Sequence, residues 1–156
     1  MRALVQRVER AEVTSRVAAR DAWDVAGSIG AGLCVFVGVT HDDTTALADR
    51  IAAKINGLRV FDDVAGVMNL SLQDAAGSSV LIVSQFTLYG DTRKGRRPSW
   101  VGAAAPDVAE PLVDRVAERL RELGAGHDLR VATGRFRTEM RVELVNDGPV
   151  TLLLEV

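Results

Sequence analysis

One cysteine, two histidines and four prolines in 156 residues leave this chain without much of the apparatus that small domains use for chemistry. The lone Cys34 cannot form an intrachain disulfide, and its place in the apolar run Leu33–Val37 reads as a small buried hydrophobe, which fits a reducing cytoplasm. With one cysteine and two histidines far apart, no cluster has zinc spacing, so no metal site is expected. Both histidines fall in expected loops beside acidic residues, with no serine or cysteine nucleophile near them in sequence. No apolar run approaches the roughly 18 residues of a membrane span, and Met1–Val8 alternates and is too polar for a secretory h-region. Gly27, Gly30 and Gly32 do not make a dinucleotide fingerprint, since a strand rather than a helix follows them; Walker and kinase motifs are also missing. Net charge is −2, from 19 basic against 21 acidic residues, which argues against a globally basic nucleic-acid binder. The carboxylates are scattered and form no defensible acid–base pair.

What is there reads as a single domain over residues 1–156, with an ordinary 47% hydrophobic and 26% charged residues. Residues 2–8 alternate as a strand, and Ala11–Val17 is expected to continue into a hairpin partner. Arg16–Asp24 carries mixed signals. Leu33–Val39 is a continuous apolar run, expected as a central strand. Asp42, Asp43 or Thr44 can cap a first helix whose face is Leu47, Ile51, Ile55 and Leu58. Gly66–Leu72 reads as a turn and a short extended piece, and Ser79–Phe86 as a buried strand. A second helix starts at Pro106, carries Val108, Leu112, Val116, Leu120 and Leu123, and stops at Gly124. Pro111 must sit in its first turn or kink it. Leu129–Ala132, Glu139–Val145 and Val150–Val156 are three further strand candidates. Two main helices that do not alternate regularly with the strands favour an α+β fold, mainly antiparallel and barrel-like, with the sheet packed against the helices.

Two polar interruptions stand out in apolar, strand-like runs: Ser84-Gln85-Phe86-Thr87 and Asn146-Asp147-Gly148-Pro149-Val150-Thr151. Core strands do not need them, and Pro149 cannot donate to a ladder, so both are candidates for presenting polar groups to a ligand. Ser84, Gln85 and Thr87 can hydrogen-bond a substrate, and N–H groups beyond a strand end can face an oxyanion. Thr87 as a nucleophile needs a base, and none is at hand. Arg93-Lys94-Gly95-Arg96-Arg97 puts four cations in five residues, either a solvated loop or a set of phosphate contacts.

These segments closely resemble the D-aminoacyl-tRNA deacylase family. The resemblance rests on Ser84–Leu88, Asp91–Ser99 and Asn146–Thr151, supported by Met1–Val8, Met68–Leu72 and Gly134-Arg135-Phe136 with Met140. It spans nearly the whole chain in order. It implies a cytoplasmic homodimer with active sites at the subunit interface, acting on aminoacyl-tRNA without catalytic metal or organic cofactor. The reaction implied is hydrolysis of the ester between a D-amino acid, or glycine, and the terminal adenosine. By position, Ser84, Gln85, Phe86 and Thr87 would form the catalytic pocket. Gly148 and Pro149 would resemble a Gly-cisPro element reaching into the partner's pocket and excluding L side chains, with Asn146, Phe136 and Met140 beside it. Arg93, Lys94, Arg96 and Arg97 would meet tRNA phosphates. Thr87 would position the substrate while water attacks with help from the ribose 2′-hydroxyl and an amide oxyanion hole. Departures from the family pattern are the bulky Arg137-Thr138-Glu139, Trp100 where Phe is typical, and the loosely similar Arg16–Trp23. The competing readings are an editing domain of a threonyl-tRNA synthetase, a non-catalytic RNA-binding module and a general small-ester hydrolase.

Overall fold

A computed structural model of the chain describes residues 1–93 and 95–156. One strand organises it. β1 (Arg2–Arg16) runs unbroken through the point where a hairpin was expected, so Ala11–Val17 does not turn back. Its hairpin partner is β2 (Asp24–Ile29), antiparallel, with Ala11 opposite Ile29. β3 (Gly32–Gly38) then returns along the first half of β1, with Val8 opposite Gly32 and Arg2 opposite Gly38.

The inward face of β1 changes side part-way. Ala3 and Val5 belong to a large cluster shared with the helices, whereas Val8, Ala11 and Val13 belong to a second cluster on the other face of the sheet. A register shift between Val8 and Arg10 makes the switch, because an extra residue in one strand bends it and inverts its alternation. The sheet therefore curls back over its own far side.

After β3 the chain forms α1 (Thr45–Gly57), a short hairpin of β4 (Phe61–Asp62) and β5 (Met68–Leu70), and then β6 (Ser79–Ser84). α2 (Pro106–Gly124) leads on to β7 (Arg130–Thr133), and β8 (Glu139–Glu155) closes the chain. β6 lies parallel to β3, and β7 parallel to β6. The sheet is thus antiparallel in the main, as expected, but not throughout: β3, β6 and β7 add a parallel stretch that makes it mixed. The physical reason lies in the strands. Leu33, Cys34, Val35 and Val37, like Val80–Val83, are buried on both faces, under the helices on one side and under the curled part of the sheet on the other, as parallel strands require. β1, which alternates, pairs antiparallel with β2, β3 and β8. The strand order β2-β1-β3-β6-β7 nearly closes on itself. At the seam a Cβ on Gly27 of β2 would lie 2.6 Å from the Thr133 carbonyl of β7, so only glycine allows this approach.

Both helices cover one face. Ile51 and Ile55 of α1 and Val116 and Leu120 of α2 are fully buried there, each stabilising by about 1.5–3 kcal/mol relative to exposure. Of the three possible caps it is Thr44 whose hydroxyl accepts from the Leu47 N–H, at 3.4 Å. Pro111 is the sixth residue of α2, inside the helix rather than in its first turn. Arg115 of α2 bridges to Asp49 of α1 at 2.6 Å and to Glu122 at 2.7 Å, and these carboxylates push its guanidinium pKa further up.

Candidate active site

Parallel strands leave a crevice beyond their carboxyl ends, where side chains and loop backbone converge. Here β3, β6 and β7 end together, and a cavity of about 520 Å³ opens beyond them, within the size range of small-molecule sites. Val37 and Val39 from the end of β3 and Ser84, Gln85 and Phe86 from the end of β6 form one side. Phe136, Arg137 and Thr138, from the turn between β7 and β8, form another with Met140 at the start of β8. Trp100 and Ala103 before α2, with Ala109 and Val113 on it, complete the wall.

The end of β6 is shaped by close packing. The Gln85 N–H donates to the Val37 carbonyl at 2.7 Å, extending the β3–β6 ladder by one bond. The chain then turns sharply into a 3-10 turn, Phe86–Tyr89, pressed onto Gly38, where a Cβ would come within 2.9 Å of the Leu88 Cβ. Phe86 therefore belongs to this turn and not to the strand, and its ring is 57% exposed at the pocket. It meets Trp100 edge-to-face with ring centroids 5.4 Å apart. The first N–H groups of a helical turn have no partner within it. Those of Phe86 and Thr87 accordingly have no hydrogen-bond acceptor among the described residues, whereas Leu88 N–H reaches the Gln85 carbonyl at 3.2 Å. The Gln85 side-chain amide donates to the Thr87 hydroxyl, which leaves that hydroxyl's own proton free to donate elsewhere.

The loop leading to α2 is tied down from below. Thr40 donates its hydroxyl to the Gly102 carbonyl at 2.7 Å, and Ala104 N–H donates to the Val39 carbonyl at 2.9 Å. The His41 Nε2 lies 2.7 Å from the Val101 carbonyl, so it carries the proton and holds the loop. His41 is thus occupied structurally. Neither histidine lines the pocket, nor does any carboxylate among the described residues.

The second polar interruption is an excursion within one strand rather than a gap between two. Val8 pairs with Asn146 and Gln6 with Thr151, so Asp147–Val150 all stand opposite the single residue Arg7. Asn146 clamps the base: its side-chain amide donates to the Arg7 carbonyl at 2.8 Å and to the Val150 carbonyl at 3.1 Å. Val150 is buried again, while Gly148 and Pro149 are exposed. The bond joining Gly148 to Pro149 is cis. A Cβ on Gly148 would meet nothing within 4 Å among the described residues, so the space beside it is open.

A sequence profile described as D-Tyr-tRNA(Tyr) deacylase matches residues 4–155. The chain belongs to that family. Relatives named D-aminoacyl-tRNA deacylase include one from Symbiobacterium thermophilum, 56% identical over 155 residues that make up 99% of this chain and 95% of that protein. Another, from Streptomyces coelicolor, is 51% identical over the full length of both. A solved structure of the c-Myc DNA Unwinding Element Binding Protein superposes with a TM-score of 0.86 at 36% identity, covering 100% of this chain and 99% of that one. A probable eukaryotic D-amino acid tRNA deacylase, at 20% identity and a TM-score of 0.79, covers 99% of this chain and 98% of that one and shares the fold.

Within this deacylase fold the expected site residues divide into two places. Ser84, Gln85, Phe86, Phe136 and Met140 come together around the pocket. Thr87 lies beside it but not in the wall, and Asn146, Gly148 and Pro149 stand on the β8 tip, outside the wall of their own chain. Arg93, Arg96 and Arg97 sit on a loop closed by a bridge between Asp91 and Ser99, just before Trp100. Arg93 is already engaged: its guanidinium meets the Asp91 carboxylate at 2.9 and 2.7 Å, which holds the Asp91 pKa down at about 2. Lys94, the fourth expected cation, lies outside the described residues.

Two residues escaped the sequence reading. Arg7 is 8% exposed and fills the gap behind the tip. Its guanidinium donates to the Val60 carbonyl at 2.5 Å and pairs with Asp62 at 3.3 Å. Its Nε lies 2.7 Å from Asp147, an ion pair whose angle falls outside hydrogen-bond geometry. The signal was present: Ala3, Val5 and Arg7 share the inward phase of β1, and a charge there demands partners. The other is Asp91, whose service to Arg93 is visible in sequence only as a spacing of two.

Proposed function

We propose that this family member is a hydrolase whose pocket receives the aminoacylated adenosine of D-aminoacyl-tRNA and cleaves the ester to free amino acid and tRNA. The observation that carries the reading is the pair of unpartnered N–H groups on Phe86 and Thr87, at the end of β6 beside an apolar pocket in a deacylase fold. Two fixed donors of this kind hold the oxyanion of a tetrahedral intermediate, and one such donor typically contributes about 2.7–4 kcal/mol to the transition state. Water is the nucleophile, with the ribose 2′-hydroxyl assisting. Gln85 and Thr87 orient the ester. The neutral Ser84 and Gln85, and the rings of Phe86 and Phe136, suit a nucleoside and a varied side chain.

Selectivity for the D ester comes from Gly148 and Pro149 of a second copy. An exposed tip with open space beside Gly148, next to a clamp of Asn146, supports a homodimer in which each tip enters the other's pocket. A wall that clashes with an L side chain admits a D side chain, and also admits glycine, which has none. Glycyl-tRNA is therefore a second substrate. Arg96, Arg97 and the neighbouring cations meet tRNA phosphates. The chain works as one domain, in the cytoplasm, where aminoacyl-tRNA is made and used.

The test is deacylation of D-Tyr-tRNA against L-Tyr-tRNA at catalytic enzyme concentration with a chelator present. Fast loss of the D ester with the L ester spared is the expected result. tRNA binding without turnover of either ester would replace the reading with an RNA-binding module. Thr87→Ala is expected to keep substantial activity; a loss of four or more orders of magnitude in single-turnover rate, with binding intact, would make Thr87 a chemical participant.

A further inference from the structure

The pocket wall contains a single charged residue among those described, Arg137. A neutral, largely apolar cavity has no evident need of a cation. Arg137 also occupies a costly conformation: its φ is +58°, in the left-handed region that glycine or asparagine adopts more readily. The turn that holds it is closed by the Thr138 hydroxyl donating to the Arg135 carbonyl at 2.9 Å. Arg137 has no acidic partner among the described residues. The carboxylate nearest in sequence, Glu139, is taken by Arg16 at 2.6 Å on the other side of the strand end. The arrangement leaves an exposed guanidinium on a constrained turn at the edge of the cavity, with its donors free.

We propose that Arg137 binds the phosphate joining the terminal adenosine to the preceding nucleotide of the substrate. This rests on the reading of the pocket as an aminoacyl-adenosine site. An RNA 3′ end entering the cavity brings one anionic group to its mouth, and a guanidinium can hold phosphate oxygens through two parallel bonds. Arg137 is then a positioning residue. It anchors the strand outside the pocket so that the ester stops at the Phe86 and Thr87 amides, and it takes no part in the chemistry.

The experiment compares D-Tyr-tRNA with D-Tyr-adenosine, the same ester without any phosphate. Arg137→Gly relieves the backbone conformation while removing the cation, and Arg137→Lys keeps a charge without the planar fork. On D-Tyr-tRNA the glycine variant is expected to raise KM roughly tenfold with kcat little changed. The slope of log kcat/KM against log salt should flatten by about 0.7, the value for one contact to a single strand. The lysine variant should recover part of the loss. On D-Tyr-adenosine the glycine variant should lose less than twofold. An equal loss on both substrates overturns the proposal and puts Arg137 on the nucleoside or the ester. An unchanged KM and salt slope on D-Tyr-tRNA also overturns it. Turnover of neither substrate by the unaltered protein would overturn the deacylase reading itself, a result easily told from the other two.

Discussion

Replacing Arg7 by methionine asks whether the β8 tip needs the support behind it. The Arg7 side chain is 10% exposed, and its charge is shared among three acceptors. Asp62 and Asp147 are 51% and 46% exposed, so water can take over both carboxylates and each pair contributes at most about 1 kcal/mol. The Val60 carbonyl is different. Val60 is 7% exposed, and its oxygen loses a charged donor, worth about 1.5–3 kcal/mol. Methionine keeps most of the aliphatic packing. The expected net loss is about 2 kcal/mol, which for a chain of this length lowers Tm by roughly 4–8 °C. The functional effect should exceed the structural one. With Asp147 released, the tip can shift, so the preference for D-Tyr-tRNA over L-Tyr-tRNA should fall roughly tenfold when both are assayed well below the lowered Tm. Asp147→Asn, which removes the charge but not the shape, should reproduce much of the selectivity loss with little change in Tm. A methionine variant with the expected Tm and an unaltered D-to-L ratio would refute the reasoning and leave Asn146 as the sole support of the tip.

Gly90 lies directly under the Trp100 ring, so Gly90→Ala must displace that ring from Phe86; activity should fall several-fold while thermal unfolding, followed by circular dichroism, moves little. Asp43 accepts the buried Met1 ammonium at 2.6 Å and the Thr40 N–H at 2.8 Å, so Asp43→Ala should cost about 3–5 kcal/mol in urea unfolding. The exposed neighbour Asp42→Ala should be near neutral, and equal effects would remove the pair from the account. Burial pushes the Cys34 thiol from 9.0 up to about 12. The unfolded chain therefore releases this proton first, stability declines as pH rises from 9 towards 12, and a thiol reagent at pH 8 should react only after denaturant is added. Tyr89, also pushed up to about 12 by burial, adds to the same alkaline loss from pH 10 onward.

Much of this architecture can be read from residue order, for identifiable reasons. Ile51, Ile55, Val116 and Leu120 recur at helical spacing because one face of each helix must be buried, and all four are. The polar break at Ser84-Gln85-Phe86 marks the pocket because a buried strand has no other use for it. The parallel pairing of β3 with β6 was harder to see. Continuous apolar runs say that a strand is covered on both faces, and direction follows only once α1 and α2 are recognised as crossovers. The unbroken β1 was hidden because its alternation slips at Val8, which looks in sequence like an end. Arg7 and Asp147 meet across 140 positions, and nothing local could have announced that pairing.

The offset in β8 has an arithmetic that governs how the tip can change. Between the pairs Val8 with Asn146 and Gln6 with Thr151, β8 carries four residues against one, an excess of three; between Val8 and Arg10, β1 carries one residue with none opposite. Both strands change phase here, so Val142 and Leu144 before the tip face the second cluster with Val13 and Ala11, while Leu154 after it faces the first with Ala3. The tip is therefore an insertion held between two fixed registers. Its length can change without moving either half of the strand, because each half is held by its own pairing with β1. A change of one residue in the tip should therefore alter how far it reaches and leave Leu154 opposite Ala3.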